Sequence, residues 1–360
     1  MSLKFARLFS SQARSLGVWT DAASRPGSLR IADEAVRQGV LHGIPASGPK
    51  LIAHQGQRET YHSPVAIDEV FAGAYEILEQ EAAQKYRALE ASGAQMSAKD
   101  VENTLAAAEQ HNPEVLYNAR FQTDNVDRAH PVYRRFLRQK WQLHDLMVTM
   151  QRLEQHHVIP DTLPTVEPCA DVRVKFGHNE DPEFADWVVP GTKLPALAVA
   201  RPPTVQVQEF ETAADSCGLY CVLLVNPDVP DVAANSFRTS LNFGLHNVPL
   251  TFTDNTIGPA TLLAHPAYVF QQYEPLVPER NAPVQRACLW VFRQTKALER
   301  VDFSRDAFDI RAFVADHGLQ PIGAHVWRQE FDRSVEAVRK QHGLPAGRVF
   351  DPVRGSEPLV

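Results

Sequence analysis

The 360-residue sequence contains no apolar run approaching the roughly 18 residues that a membrane-spanning helix requires. Cysteine is scarce: Cys169, Cys217, Cys221 and Cys288 are the four. Cys221 and Cys288 sit inside apolar runs, which predicts reduced core thiols and not disulfides. Cys217 and Cys221 have no second pair at zinc-ribbon spacing. The 14 histidines are scattered, and the one adjacent pair, His156-His157, stands in no metalloprotease-type helix motif. No metal or other cofactor is expected. Basic charge is not in excess either: 36 Lys and Arg stand against 43 Asp and Glu, a formal net charge of −7. That excludes a surface coated everywhere with nucleic acid and leaves only local basic patches. No phosphate-cradling glycine loop and no nucleophile–base pair in a recognisable context occurs, so no enzymatic activity is expected.

What is present changes character along the chain. Residues 1–20 carry Lys4, Arg7 and Arg14 but no acid, with Leu3, Phe5, Leu8 and Phe9 between the charges. This is presequence composition, because a positive amphipathic helix is drawn by import receptors and by the membrane potential. Arg7-Leu8-Phe9-Ser10 resembles a matrix-processing site, which predicts cleavage after Phe9 and a mature protein in the mitochondrial matrix; the alternative is a disordered basic tail. Residues 21–62 are punctuated by Gly, Pro and Ser with little periodicity, and read as an extended arm.

Residues 63–165 read as a helical extension. Ser63-Pro64 followed by Asp68-Glu69 opens one helix, with Val70, Phe71, Tyr75, Leu78 and Ala82 on its apolar face. Ser97 and Asp100 form a capping-box-like start for a second. Pro131 opens a third and longest, with Val132, Phe136, Leu143, Met147, Met150 and Leu153 as its stripe. Arg128, Arg134, Arg135, Arg138 and Lys140 gather around it. This cluster reads equally as a contact to RNA phosphates or an acidic protein, or as a solvated charged face.

From residue 166 to 342 the period becomes alternating: Val172, Val174 and Phe176, then Val205 and Val207 with Gln206 and Gln208 between. Leu219 to Val225 is a continuous apolar run, the mark of a strand buried on both faces. It meets Asn226-Pro227-Asp228-Val229-Pro230, where two prolines predict the strand's end in a rigid turn holding Asp228. Leu241 to Leu250, Ala267 to Tyr273, Arg286 to Gln294 and Pro321 to Trp327 supply further strands, with a polar loop or short hairpin over Thr251 to His265. Ser304 is placed as the N-cap of a helix stopped by Gly318, and Phe331, Val335 and Val338 mark a last short helix. Residues 343–360 form a tail. The fold class is α+β: an antiparallel β-sandwich preceded by an α-helical extension.

Residues 219–342 resemble the phosphatidylethanolamine-binding-protein family. The resemblance is carried by Asn226-Pro227-Asp228-Val229-Pro230, by Asn242 to Pro249, by Tyr273 through Gln294 with Arg286 in the arginine place, and by Pro321 through Val335 with the aromatic-acid pair Phe331-Asp332. It implies an anion pocket built from a turn Asp, two histidines and a tight proline-rich loop. Here the Asp is kept as Asp228, but Asn242 and Gln285 stand in the histidine places, and Leu276 and Val277 replace loop glycines. Asp228, Asn242, Tyr273, Gln285 and Arg286 therefore outline a degenerate pocket that lacks positive charge to balance an anion. One branch of the family joins such a domain to a helical extension and a presequence, in the central protuberance of the mitochondrial large ribosomal subunit. That resemblance implies a structural constituent whose partners are other large-subunit proteins, with limited rRNA contact. The alternative is an anion- or phospholipid-binding protein, or a regulator of a kinase or protease.

Overall fold

A computed structural model describes residues 18–19, 26–42, 66–122, 126–210, 217–299 and 303–351. The expected processing site at Phe9, the expected presequence apart from residues 18–19, and most of the arm lie outside these residues. The chain divides into two compact units, residues 1–140 and 141–360, so the division falls earlier than the 165/166 boundary read from composition.

Unit 1 is helical. Its helices are α1 (Glu34–His42), α2 (Ile67–Ser92), α3 (Ala98–Glu109), α4 (Pro113–Phe121) and α5 (Pro131–Lys140). The arm is thus not extended throughout. Ile31 N–H donates to the buried Glu114 carboxylate at 3.1 Å, and Arg37 Nε reaches the same oxygen at 3.0 Å. Leu29 packs with Val115, Val132 and Tyr133 in the unit's small core. Ser97 caps α3, accepting from Asp100 N–H at 3.2 Å while its hydroxyl donates to the Asp100 carboxylate. Helix α4 escaped the periodicity reading, yet Asn112-Pro113 is a strong start: the Asn side chain accepts from Glu114 N–H and Pro occupies the first turn, where no donor is needed. The longest helix is α2, with 26 residues, and not the one begun at Pro131. Its buried side is Ala82 and Leu89, whereas Val70 and Phe71 of the expected face are exposed.

Unit 2 begins with a π-helical turn, Trp141–Asp145, followed by α6 (Leu146–Gln155) and a short turn at Val158–Asp161. The strands are β1 (Ala170–Lys175), β2 (Thr204–Glu209), β3 (Gly218–Asp231), β4 (Ser236–Leu250), β5 (Thr256–Ile257), β6 (Val269–Gln271), β7 (Gln285–Gln294) and β8 (Gln320–Gln329). They form a three-stranded sheet, β1-β2-β5, and a five-stranded sheet, β6-β4-β3-β7-β8, with antiparallel pairings. The helices α7 (Pro259–Ala264), α8 (Ile310–His317) and α9 (Val335–Gln341) also belong to the unit. Thr251 to His265 is therefore not a bare loop, since it holds β5 and α7.

The central apolar run has a physical explanation. Tyr220, Val222 and Leu224 face one core with Val172, Val174, Val205 and Val207 of the smaller sheet. Cys221, Leu223 and Val225 face a second core with Leu153, Val158, Trp290, Phe308 and Phe313. The five-stranded sheet is covered on both sides, so alternation disappears from its sequence. Gln206 and Gln208 are likewise buried, although alternation placed them outside: Gln208 Oε1 accepts from Asn255 Nδ2 at 2.8 Å, and Gln206 donates to Thr256. Helix α8 is capped by Asp309, which accepts from Arg311 and Ala312 N–H, and not by Ser304; Gly318 ends it in the left-handed region at φ 59°.

Candidate functional site

The site grows out of a bulge. Strand β3 does not stop at its prolines. Asn226 pairs with Ser240 and pairing resumes at Val229 with Arg238, so Pro227 and Asp228 together face one residue of β4. Pairing of β3 with β7 ends at Val225, which leaves residues beyond it bound on one side alone. A proline without an N–H is tolerated there.

The bulge aims Asp228 at the first residues of β7. Arg286 Nε and Arg286 backbone N each donate to Asp228 Oδ2 at 2.8 Å, and Nη2 donates to Oδ1 at 2.5 Å. The remaining terminal nitrogen, Nη1, donates to His156 O at 2.8 Å, His157 O at 3.0 Å and Asp161 Oδ2 at 2.8 Å. The hydrogen bonds that the guanidinium donates to Asp228, and then to Asp161, raise its pKa against the opposing cost of burial. Beside them Asn226 Nδ2 donates to Gln285 Oε1 at 3.0 Å, and Asp228 N–H donates to Asn226 Oδ1 at 3.0 Å. Asp228, Gln285 and Arg286 are thus brought together, and each is engaged within the molecule.

Asn242 and Tyr273 belong to a second group. Asn242 is the extra residue of another bulge, between the Leu224–Phe243 and Val225–Leu241 pairs. Its Nδ2 donates to Glu274 O at 3.0 Å, while its own carbonyl accepts from Glu274 N–H at 2.9 Å. The Tyr273 hydroxyl donates to Val199 O at 2.6 Å, its ring stands edge-on to Phe243 at 5.6 Å, and burial pushes its pKa up. In the proline-rich loop Leu276 is core and Val277 packs against Ala196, Ala200, Val335 and Val338. Side chains fill what a glycine loop would leave open. A separate cleft under α6, lined by Trp141, Met150, Leu153 and Val172 among others, leaves only about 10 Å³ for the centre of a water-sized body. It has room for roughly one water molecule.

The basic cluster is divided by the structure. Arg134 Nη1 pairs with Glu102 at 3.1 Å. Arg128 is half-buried, whereas Arg135, Arg138 and Lys140 are exposed on α5 and make no ion pair among the described residues. Arg138 and Lys140 also suit the negative end of the helix dipole.

Sequence reasoning missed His156, His157 and Asp161 as partners of Arg286. They lie 125 or more positions away, and no local pattern announces a contact at that separation. Among the described residues no group of three or more His, Cys, Asp and Glu side chains could hold a metal ion.

Comparison with known proteins follows the same outline. Residues 184–327 match the model of the family described as phosphatidylethanolamine-binding protein. The chain is 28% identical over 247 residues to large ribosomal subunit protein mL38 of Schizosaccharomyces pombe, with the match spanning 68% of this chain and 75% of that one. Among solved structures, carboxypeptidase Y inhibitor complexed with its cognate proteinase matches at 12% identity and TM-score 0.40, over 52% of this chain and 96% of that one. The phosphatidylethanolamine-binding protein of Plasmodium vivax matches at 14% identity and TM-score 0.37, over 51% and 98%.

Proposed function

We propose that this chain, a relative of mL38 whose residues 184–327 form a domain of the phosphatidylethanolamine-binding-protein family, is a structural constituent of the mitochondrial large ribosomal subunit. Its role is non-catalytic: it serves mitochondrial translation as part of the particle, in the matrix, and its place is the central protuberance. The observation that supports a scaffold over a ligand carrier is the saturation of Asp228. Both of its oxygens are taken by Arg286, whose other terminal nitrogen is taken by His156, His157 and Asp161. A head group would have to displace charge-assisted hydrogen bonds worth about 1.5–3 kcal/mol each. The exposed Arg135, Arg138 and Lys140 of unit 1 supply a contact to an acidic neighbour, rRNA or protein, where the surplus charge is matched.

Gradient sedimentation of mitochondrial lysate tests the reading. The protein is expected with the large subunit, and to stay there through a moderate salt wash. Recovery solely in the free-protein fractions would overturn it.

A further inference from the structure

His156, the first member of the histidine pair, gives its backbone carbonyl to Arg286 of the Asp228 cluster, while its ring faces Gly191. Three segments of unit 2 meet at Gly191, whose φ of +85° suits glycine. A Cβ at this position would lie 2.7 Å from His156 Nε2 and 3.3 Å from Arg152 Cδ, so the missing side chain is what admits both. The Gly191 carbonyl accepts from Arg328 Nε at 2.9 Å, and its N–H donates to Val326 O at 2.7 Å. Arg152 from the last turn of α6, His156 just after that helix and Arg328 from β8 therefore converge on one glycine.

Their charges are not balanced. Arg328 stands directly across the ladder from Arg286. Like charges in that position cost stability unless each finds a counter-charge. Arg286 has two, Asp228 and Asp161. Arg152 and Arg328 have no ion pair among the described residues; Arg152 Nη1 donates to the neutral Gln155 side chain at 2.6 Å. Arg328 is held through Nε, which leaves the edge carrying its two terminal nitrogens unbonded among the described residues. Two terminal nitrogens side by side can grip a carboxylate with two parallel hydrogen bonds. All three side chains are half-buried, so water screens them less than it screens a surface arginine. Burial first, then the guanidiniums of Arg328, Arg152 and Arg286, hold the His156 imidazole below its ordinary pKa.

The surroundings select among anions. Glu330, paired with Lys193 at 2.7 Å, and the exposed Glu154 and Asp161 lie on the segments that bring these side chains together. A nucleic-acid strand carries a charge at every phosphate and would pass these carboxylates at a cost. One carboxylate entering alone would not. We propose that Arg152, His156 and Arg328 form a socket for a carboxylate from an acidic segment of a neighbouring protein, either an Asp or Glu side chain or the terminal carboxylate of that protein. The socket adjoins the Asp228 cluster through the His156 carbonyl and the Arg286–Arg328 pair, and its test rests on the mitochondrial placement proposed above.

The test uses the full-length protein in mitochondria, with the photo-crosslinking residue benzoylphenylalanine in place of the exposed Glu154. The crosslinked peptide is sequenced. A peptide from another protein, with Asp, Glu or a terminal carboxylate at the joint, is expected. Its yield should fall about tenfold, the effect of roughly 1.4 kcal/mol, in Arg152→Gln/Arg328→Gln, and less in Arg152→Lys/Arg328→Lys, which keeps charge but loses the fork. A photo-residue at the remote, exposed Leu263 reports folding: if its crosslinks change too, Arg152→Gln alone is read, since Arg152 makes no bond to Gly191. A crosslink to RNA, to this chain itself, or to a protein with yield indifferent to both arginines overturns the socket, and so does the absence of any crosslink.

Discussion

Arg286 grips both carboxylate oxygens of Asp228 with its guanidinium and takes one of them again with its own backbone N–H. The pair is partly buried, with 18% and 15% of the side chains exposed. Asp228→Ala would leave a guanidinium half-satisfied in that setting. A loss of about 2–3 kcal/mol is expected in urea unfolding, below the full cost for a dry ion pair because water still reaches this one. Binding to phosphatidylethanolamine vesicles should match the unsubstituted protein. Saturable head-group binding that Asp228→Ala abolishes without loss of stability would mean that the cluster is a working ligand site.

Glu114 anchors the segment before α1, accepting from Ile31 N–H and Arg37 Nε on one oxygen while 1% exposed. Glu114→Ala removes the acceptor of both bonds, and with it about 1.5–3 kcal/mol of charge-assisted bonding. Trypsin should then cut at Arg30 and Arg37 faster than in the unsubstituted protein. Equal cutting rates would show that the small apolar core around Leu29 holds the segment unaided.

At Gly323, in β8, an added Cβ would lie 2.7 Å from Val172 Cγ2 and 3.0 Å from the Ala170 carbonyl oxygen. Backbone cannot turn aside as a side-chain end can. Gly323→Ala is expected to cost about 1–3 kcal/mol, the range for an overpacked core, and to lower the unfolding midpoint. Gly93→Ala, with nothing within 4 Å of its Cβ, serves as the control and should change little.

His325 supplies a pH dependence. The ring is 1% exposed; Nε2 bonds to Val188 O at 3.0 Å and Nδ1 has no partner among the described residues. Burial lowers its pKa to about 4. In the unfolded state a histidine titrates near 6.5, so between the two values the unfolded state binds a proton that the folded state refuses. Its stabilising contribution is whole above pH 6.5 and declines as pH falls toward about 4, by up to about 1.4 kcal/mol per unit. His325→Gln should flatten this part of the stability profile in urea titrations. An unchanged slope would assign the acid sensitivity to other groups.

The strands with a buried face on each side were readable, because little besides two-sided burial produces continuous apolar runs such as Leu219–Val225. The cap at Ser97 and the stop at Gly318 were readable for a local reason: the residues that satisfy the backbone adjoin the helix. Helix α1 was lost among glycines and prolines, since what orders its region is Glu114, 83 positions from Ile31. The two prolines at Asp228 marked irregularity correctly but suggested a stop, where the strand passes through by a bulge. Of the five residues read as a pocket, Asp228, Gln285 and Arg286 come together while Asn242 and Tyr273 bond elsewhere, and none of these partnerships was readable. Nothing in Gln285-Arg286 alone says that a helix end and a short turn from residues 156–161 will occupy Arg286.

That bulged stretch has one further effect. From Asn226 to Asp231, β3 runs past β7, so one edge of the β3–β4 ribbon is open, and Val232 and Phe237 are exposed near its tip. An open, partly apolar edge is a template on which a strand from another molecule could be added. Pro227 and Pro230 deprive it of donors at two positions out of the six, and Asp228 puts a tethered carboxylate between them. The ribbon is blunted against strand addition at those positions.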